Sequence, residues 1–153
     1  MFDCNQFRTL ILTPVLSKLQ VYSKQAEELL VFTCAAESSG GTFLLGNKNG
    51  TMGIYNLDAA KHTDIWINFI RDKNKLSTLL AMHFDCNRIP EPERLIHDLF
   101  YATAMTQISY LRSEEKLPEI DDVDGLWSYY KKYYNTASKV DVAQDKYHRF
   151  VNN

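Results

Sequence analysis

Leu29-Leu30-Val31-Phe32-Thr33-Cys34-Ala35-Ala36-Glu37-Ser38-Ser39-Gly40-Gly41 changes character at one residue. Up to Ala36, the spacing of Leu29, Leu30, Phe32, Thr33 and Ala36 predicts a helix with an apolar face. From Glu37 the chain turns polar and then glycine-rich, so the helix is expected to end near Glu37, with a carboxylate where apolar helix meets loop. Upstream, Ser23 is placed to cap this helix, and Glu27 and Glu28 lie in its early turns, near the positive end of the helix dipole. Downstream, Gly40, Gly41, Gly46, Gly50 and Gly53 crowd into one segment. There Gly50-Thr51-Met52-Gly53-Ile54-Tyr55-Asn56-Leu57 reads as turns and short strands able to fold back beside the helix end.

The rest of the chain is helical in pattern. Thr13-Pro14 has the form of an N-cap followed by proline at the first helical position, with Val15, Leu16, Leu19 and Val21 on its apolar side. A helix is predicted over residues 59–71, carrying Ile65, Trp66, Phe69 and Ile70 on one face, and another to about Phe84 on Leu76, Leu79, Leu80 and His83. After Pro90 and Pro92, a helix over 93–112 with Leu95, Leu99, Ala102, Met105, Ile108 and Leu111 at spacings of three and four is the expected central element. Asp121, Asp122 and Asp124 precede a helix over 126–134, and Asp141 is placed to cap a last one to about Phe150. The fold class is therefore mainly α with a small glycine-rich β element, in a single domain over residues 1–153.

Composition narrows the function classes. A hydrophobic share of 45% with 24% charged residues is that of a folded globular chain. A formal charge of −2, with only Lys131, Lys132 and Lys139 clustered late in the sequence, argues against nucleic acid as a partner. Cys4, Cys34 and Cys86 are odd in number and lack CxxC spacing, and His62, His83, His97 and His148 are dispersed, so free thiols and no metal site are expected. Residues 10–12 are too short an apolar patch for a signal peptide. No stretch approaches the roughly 18 apolar residues of a membrane span, so synthesis in the cytoplasm without a cleaved leader is expected.

With Ala35-Ala36-Glu37-Ser38 closing a helix and Gly53-Ile54-Tyr55-Asn56-Leu57 downstream, the chain resembles the lytic transglycosylase and goose-type lysozyme superfamily from Ala35 to about Trp66. Members carry a helix-terminal Glu-Ser, a variable loop, and a Gly-apolar-Tyr/Phe-Gln-apolar pattern followed by a Pro-Ala-Thr step. His62-Thr63-Asp64-Ile65-Trp66 looks most like the small phage-encoded members. Farther on, Tyr110-Leu111-Arg112 and Tyr133-Tyr134-Asn135-Thr136 stand in the order of the family's Tyr-Leu helix end and its Tyr-Asn pair, whose tyrosine faces the catalytic carboxyl. Three positions depart from the pattern: Asn56 is one methylene shorter than the usual Gln, Ala59 replaces Pro, and Lys61 replaces Thr.

The resemblance implies a lysozyme-like helical domain that cleaves the bond between N-acetylmuramic acid and N-acetylglucosamine in a peptidoglycan glycan strand, with no cofactor. Glu37 would be the single catalytic carboxyl, acting as acid and then as base, since a carboxyl half-desolvated by an apolar wall can hold a proton near neutral pH. Tyr55 would stack on the sugar, Asn56 would hold an N-acetyl group, Ser38 would steady Glu37 from behind, and Tyr134 would face the carboxyl. If water were the nucleophile, Asp58 and then Asp64 are the second carboxylates nearest in sequence. The likeness to phage members also allows packaging in a virion and delivery to the periplasm, with virion or tail proteins as partners. The three departures favour an alternative, a virion or tail structural protein that kept the fold and lost the chemistry. A helical adaptor unrelated to glycosidases would leave Glu37 on open surface. The tyrosines of residues 126–134 fit an apolar helical stripe better than a sugar-binding platform.

Overall fold

The computed structural model describes residues 1–46 and 48–153, so Asn47, within the predicted glycine-rich loop, lies outside the described residues. Among the described residues the chain is mainly helical with one two-stranded antiparallel sheet. The elements are α1 (Cys4–Phe7), a π-helical turn (Arg8–Leu12), α2 (Thr13–Lys18), α3 (Lys24–Ser38), β1 (Thr51–Met52), β2 (Leu57–Asp58) and α4 (Ala59–Asn68), then a 3-10 turn (Ile70–Asp72), α5 (Asn74–Phe84), α6 (Arg94–His97), α7 (Leu99–Leu111), α8 (Val123–Tyr133) and α9 (Val140–Val151). Among the described residues no helix is long and apolar enough to cross a membrane.

Several helix boundaries differ from expectation; α4 ends at Asn68 and α8 starts at Val123, and two larger differences have a clear local reason. Thr13 is not an N-cap: the first helical run starts earlier, at Cys4, where the Asp3 carboxylate accepts the Gln6 N–H at 2.9 Å. The run passes Pro14 because the preceding turn is widened to π geometry, with Thr13 N–H bonded to Arg8 O. Proline lacks an N–H and its ring collides with the carbonyl four residues back in an unbroken α-helix, and a π turn relieves this. The predicted helix over 93–112 is two helices. Asp98 leaves helical geometry (φ −120°, ψ 98°), its carboxylate accepts Tyr101 N–H at 3.0 Å, and Arg94 Nε holds that carboxylate from the preceding turn at 3.0 Å. Ser23 caps α3 as predicted, accepting Ala26 N–H at 3.0 Å, whereas Lys139 occupies the start of α9 and Asp141 sits in its first turn.

Helices α3 and α7 form the centre. Residues 29–35 of α3 and 101–110 of α7 are buried on every face. Phe32 of α3 stacks on Trp127 of α8 with ring centroids 4.1 Å apart and meets Tyr147 of α9 edge-on at 4.6 Å. Thr33 Oγ1 donates to Leu29 O, so the Tyr110 hydroxyl of α7 donates to Thr33 at 2.7 Å, a buried polar tie between the two central helices. Large aromatic contacts and fully paired polar groups of this kind favour one packing arrangement over its neighbours. Cys4, Cys34 and Cys86 stand apart as buried free thiols.

The sheet is a hairpin whose turn points inward. Residues 53–56 reverse the chain, with Gly53 at φ 75° and Asn56 at φ 48°, and Ile54 and Tyr55 enter the core at 0% and 1% exposure. A Cβ on Gly53 would lie 2.2 Å from the Leu95 carbonyl oxygen of α6, so only glycine fits there. The hairpin is thereby pressed against α6 and α7.

Behind it, α4 is fastened to α7 by a buried chain of three polar side chains. Trp66 Nε1 donates to the Tyr101 oxygen at 2.9 Å, and the Tyr101 hydroxyl and His62 Nε2 share a hydrogen bond of 2.6 Å. His62 is fully buried, and burial pushes its pKa down to about 4, below the usual 6.5. Between those values the unfolded chain takes up a proton that the folded chain refuses, so this stabilisation is complete above pH 6.5 and is lost as the pH falls toward 4. The loss reaches about 3 kcal/mol. Denaturant unfolding measured from pH 7 to 4 should show a decline that is shallower by that amount in His62→Gln; equal slopes would contradict a neutral buried imidazole.

Candidate functional site

Glu37 lies in the last turn of α3, where helical carbonyls run out of intrahelical partners. Side chains from distant elements satisfy them. Lys146 Nζ of α9 donates to Ala36 O at 3.1 Å, and Asn56 Nδ2 of the hairpin turn donates to Glu37 O. Ser38 Oγ donates to Cys34 O at 3.1 Å and accepts Gly41 N–H at 2.9 Å, so it closes the helix and starts the turn through left-handed Ser39, Gly40 and Gly41. These bonds fix where the Glu37 backbone sits.

Its carboxylate is held just as firmly. Glu37 Oε1 accepts the Tyr130 hydroxyl of α8 at 2.7 Å and Asn135 Nδ2, just after that helix, at 2.9 Å. Burial first, and then the charge of Glu37, push the Tyr130 phenol well up, which keeps it a protonated donor. Among the described residues Oε2 has no hydrogen-bond partner. A carboxylate at the C-terminal end of a helix faces the negative end of the dipole. These two donors offset that unfavourable placement.

Glu37 opens into a cleft of about 360 Å³, walled by Thr51, Asn56, Leu57 and Asp58 of the hairpin, Lys61 of α4, and Tyr134 and Asn135 after α8, with Lys48 also lining it. The Tyr134 hydroxyl donates to Tyr55 O at 2.6 Å, so the tyrosine that lines the cleft also pins the hairpin turn. Lys61 Nζ stands 5.1 Å from the centre of the Tyr134 ring.

Of the residues singled out in the sequence, Glu37, Asn56, Asp58 and Tyr134 meet in this cleft, and three others do not belong to it. Tyr55 cannot stack on a ligand: the inward turn buries its ring, and its hydroxyl bonds Thr103 Oγ1 of α7 at 2.9 Å. Ser38 is 1% exposed and its hydroxyl is consumed by backbone groups, so it steadies the helix end and leaves the carboxylate alone. Asp64 lies outside the cleft, where Arg112 at 2.7 Å and Asn68 hold its carboxylate in the charged form. Asp58 does line the wall, but its Oδ1 accepts Ala60 N–H at 2.8 Å and Lys61 N–H at 3.2 Å as the N-cap of α4.

Tyr130 is the functional residue that sequence reasoning misses. It sits in the same helical stripe as Leu126 and Tyr129, and its ring is packed in the core while its hydroxyl reaches the cleft. The signal is its spacing of four from Tyr134, which sets the two residues on one face of the chain, Tyr130 reaching Glu37 and Tyr134 the hairpin turn.

Comparison of the chain with protein-family models, with curated proteins and with solved structures finds no match.

A double-mutant cycle tests the carboxylate cradle. Tyr130→Phe should cost about 1–3 kcal/mol of stability in the wild-type background and less when Glu37→Ala has already removed the acceptor, a coupling of at least about 0.5 kcal/mol. No coupling in urea unfolding would mean that the two side chains do not share a bond in solution.

Proposed function

We propose that the protein is a lytic transglycosylase of lysozyme-like fold, cleaving the N-acetylmuramic acid to N-acetylglucosamine bond of peptidoglycan with Glu37 as its one catalytic carboxyl. The observation that carries this reading is the half-buried Glu37 side chain, held at Oε1 by two neutral donors and facing the cleft with Oε2 unengaged among the described residues. In this reading Oε2 carries the proton and delivers it to the glycosidic oxygen as the bond to C1 breaks. The resulting carboxylate then takes the proton of the sugar's own C6 hydroxyl as that oxygen attacks C1, giving a 1,6-anhydro product. One carboxyl serves both steps, so no water and no second carboxylate is consumed. This suits a cleft in which the other acid, Asp58, is spent on capping α4.

Asn56 lines the same cleft, with its polar atoms turned toward the chain. Its Nδ2 is committed to Glu37 O, while Oδ1 has no partner among the described residues. That oxygen is enclosed by the chain on the side of Gly46, so it would have to turn into the cleft to accept the N–H of an acetamido group. Tyr134 would contribute to the cleft wall beside it.

A second reading, a virion structural protein with this fold and no activity, has one observation in its favour. The loop after α3 exposes Phe43, Leu44 and Leu45 at 57%, 47% and 63%, apolar surface that a particle contact would cover. Purified sacculi digested with wild type and with Glu37→Gln separate the two. The enzyme reading expects anhydromuropeptides from wild type and a loss of at least about a hundredfold in Glu37→Gln with an unaltered circular dichroism spectrum. Equal turnover by the variant refutes the role of Glu37, and a wild type that releases nothing while copurifying with particles favours the second reading.

A further inference from the structure

Lys61 is a charge that the fold does not explain. It lies in the first turn of α4, at the positive end of the helix dipole, where a cation is unfavourable. It is half-buried, and burial followed by the nearby Arg112 charge pushes its pKa below the usual lysine value. None of the salt bridges among the described residues includes it. Asp58, Asp64 and Glu37 act on it from a distance and offset part of that shift, but none forms a direct ion pair with it among the described residues. Lysine stems are long enough to reach solvent, yet this ammonium group lies over the Tyr134 ring within the cleft. A partly desolvated, unpaired cation costs stability unless a ligand supplies its counter-charge.

We infer that Lys61 is the subsite residue for a free carboxylate on the sugar bound next to Glu37, and that the protein therefore acts on glycan whose muramyl carboxyl groups have been released from their peptides. The inference rests on the reading of the cleft as a glycan site. The muramyl residue carries its lactyl carboxyl on the same ring whose glycosidic bond Glu37 would protonate. Lys61 and Glu37 line the same cleft, of about 360 Å³. Carboxylates at the far end of a peptide stem lie farther from the bond. In intact peptidoglycan the lactyl carboxyl is tied up as an amide and bears no charge. Amide hydrolysis that strips the stem peptide is thus the class of reaction that must supply this substrate.

Binding and turnover test the inference separately. Calorimetry with Glu37→Gln protein would compare peptide-free glycan strands, the same strands with the lactyl carboxyl reduced to an alcohol, and peptide-bearing strands. Peptide-free strands should bind about tenfold more tightly than either of the others, the worth of one charge-assisted hydrogen bond. The preference should vanish when Lys61→Met is added and persist with Lys61→Arg. In turnover by the otherwise wild-type protein, Lys61→Met should raise KM for peptide-free strands with little change in kcat. Equal affinity for carboxylated and reduced strands, binding of neither, a preference that survives Lys61→Met, or tighter binding of peptide-bearing strands would overturn the inference. So would a Lys61→Met variant that slows all substrates alike and moves the pH profile, the mark of a residue that tunes Glu37. A wild type that cleaves nothing overturns the transglycosylase reading alone, because the calorimetric comparison still decides whether Lys61 selects a carboxylate.

Discussion

Burial of α3 on every side is the constraint from which the candidate site follows. From Leu29 to Ala35 the helix has no exposed face, with Phe32 wedged between Trp127 and Tyr147 and Thr33 tied to Tyr110. A helix gripped in this way cannot slide or rotate without breaking packing on several sides, where one truncated large side chain costs about 2–5 kcal/mol. Its last turn is therefore a rigid platform. The carbonyls that end it are taken by Lys146, Asn56 and Ser38, each from a different part of the chain, so satisfying the helix end also gathers α9, the hairpin and the following turn around Glu37.

Two charges contradict the local rules of helix electrostatics, and both face the same cleft. Glu37 stands at the negative end of α3 and Lys61 at the positive end of α4. Structural selection alone would place them the other way round. Residues that break a local rule without a stabilising return are where function is expected. Glu37 is met by the neutral donors Tyr130 and Asn135, whereas Lys61 has carboxylates only at a distance and no direct ion pair among the described residues.

Much of this was legible in the sequence, and the failures have physical causes. The Ser23 cap, the end of α3 near Glu37, the glycine-rich hairpin and the buried helix through Ala102, Met105 and Ile108 all follow from periodicity and turn chemistry. The helix before Pro14 was hidden because proline after threonine has the form of a start signal, and only the π turn ahead of it lets the helix pass. The break at Asp98 was hidden because a single capping carboxylate interrupts an apolar stripe without disturbing its spacing. The resemblance assigns Tyr55 to the sugar because its neighbours carry the matching pattern. Its burial depends on the inward direction of the turn, set by Gly53 against the Leu95 carbonyl, a tertiary contact that no local pattern encodes. Tyr130 escaped notice for the opposite reason: a core stripe accounts for its ring, and only the fold reveals where its hydroxyl ends.

The most direct test of the account is a crystal structure of the Glu37→Gln protein with a bound N-acetylated tetrasaccharide. The account predicts sugar rings between residue 37 and the hairpin, against Tyr134, with a glycosidic oxygen within hydrogen-bonding distance of the residue 37 side chain. A folded protein with its cleft empty at saturating saccharide, or with the sugar seated elsewhere, would contradict it.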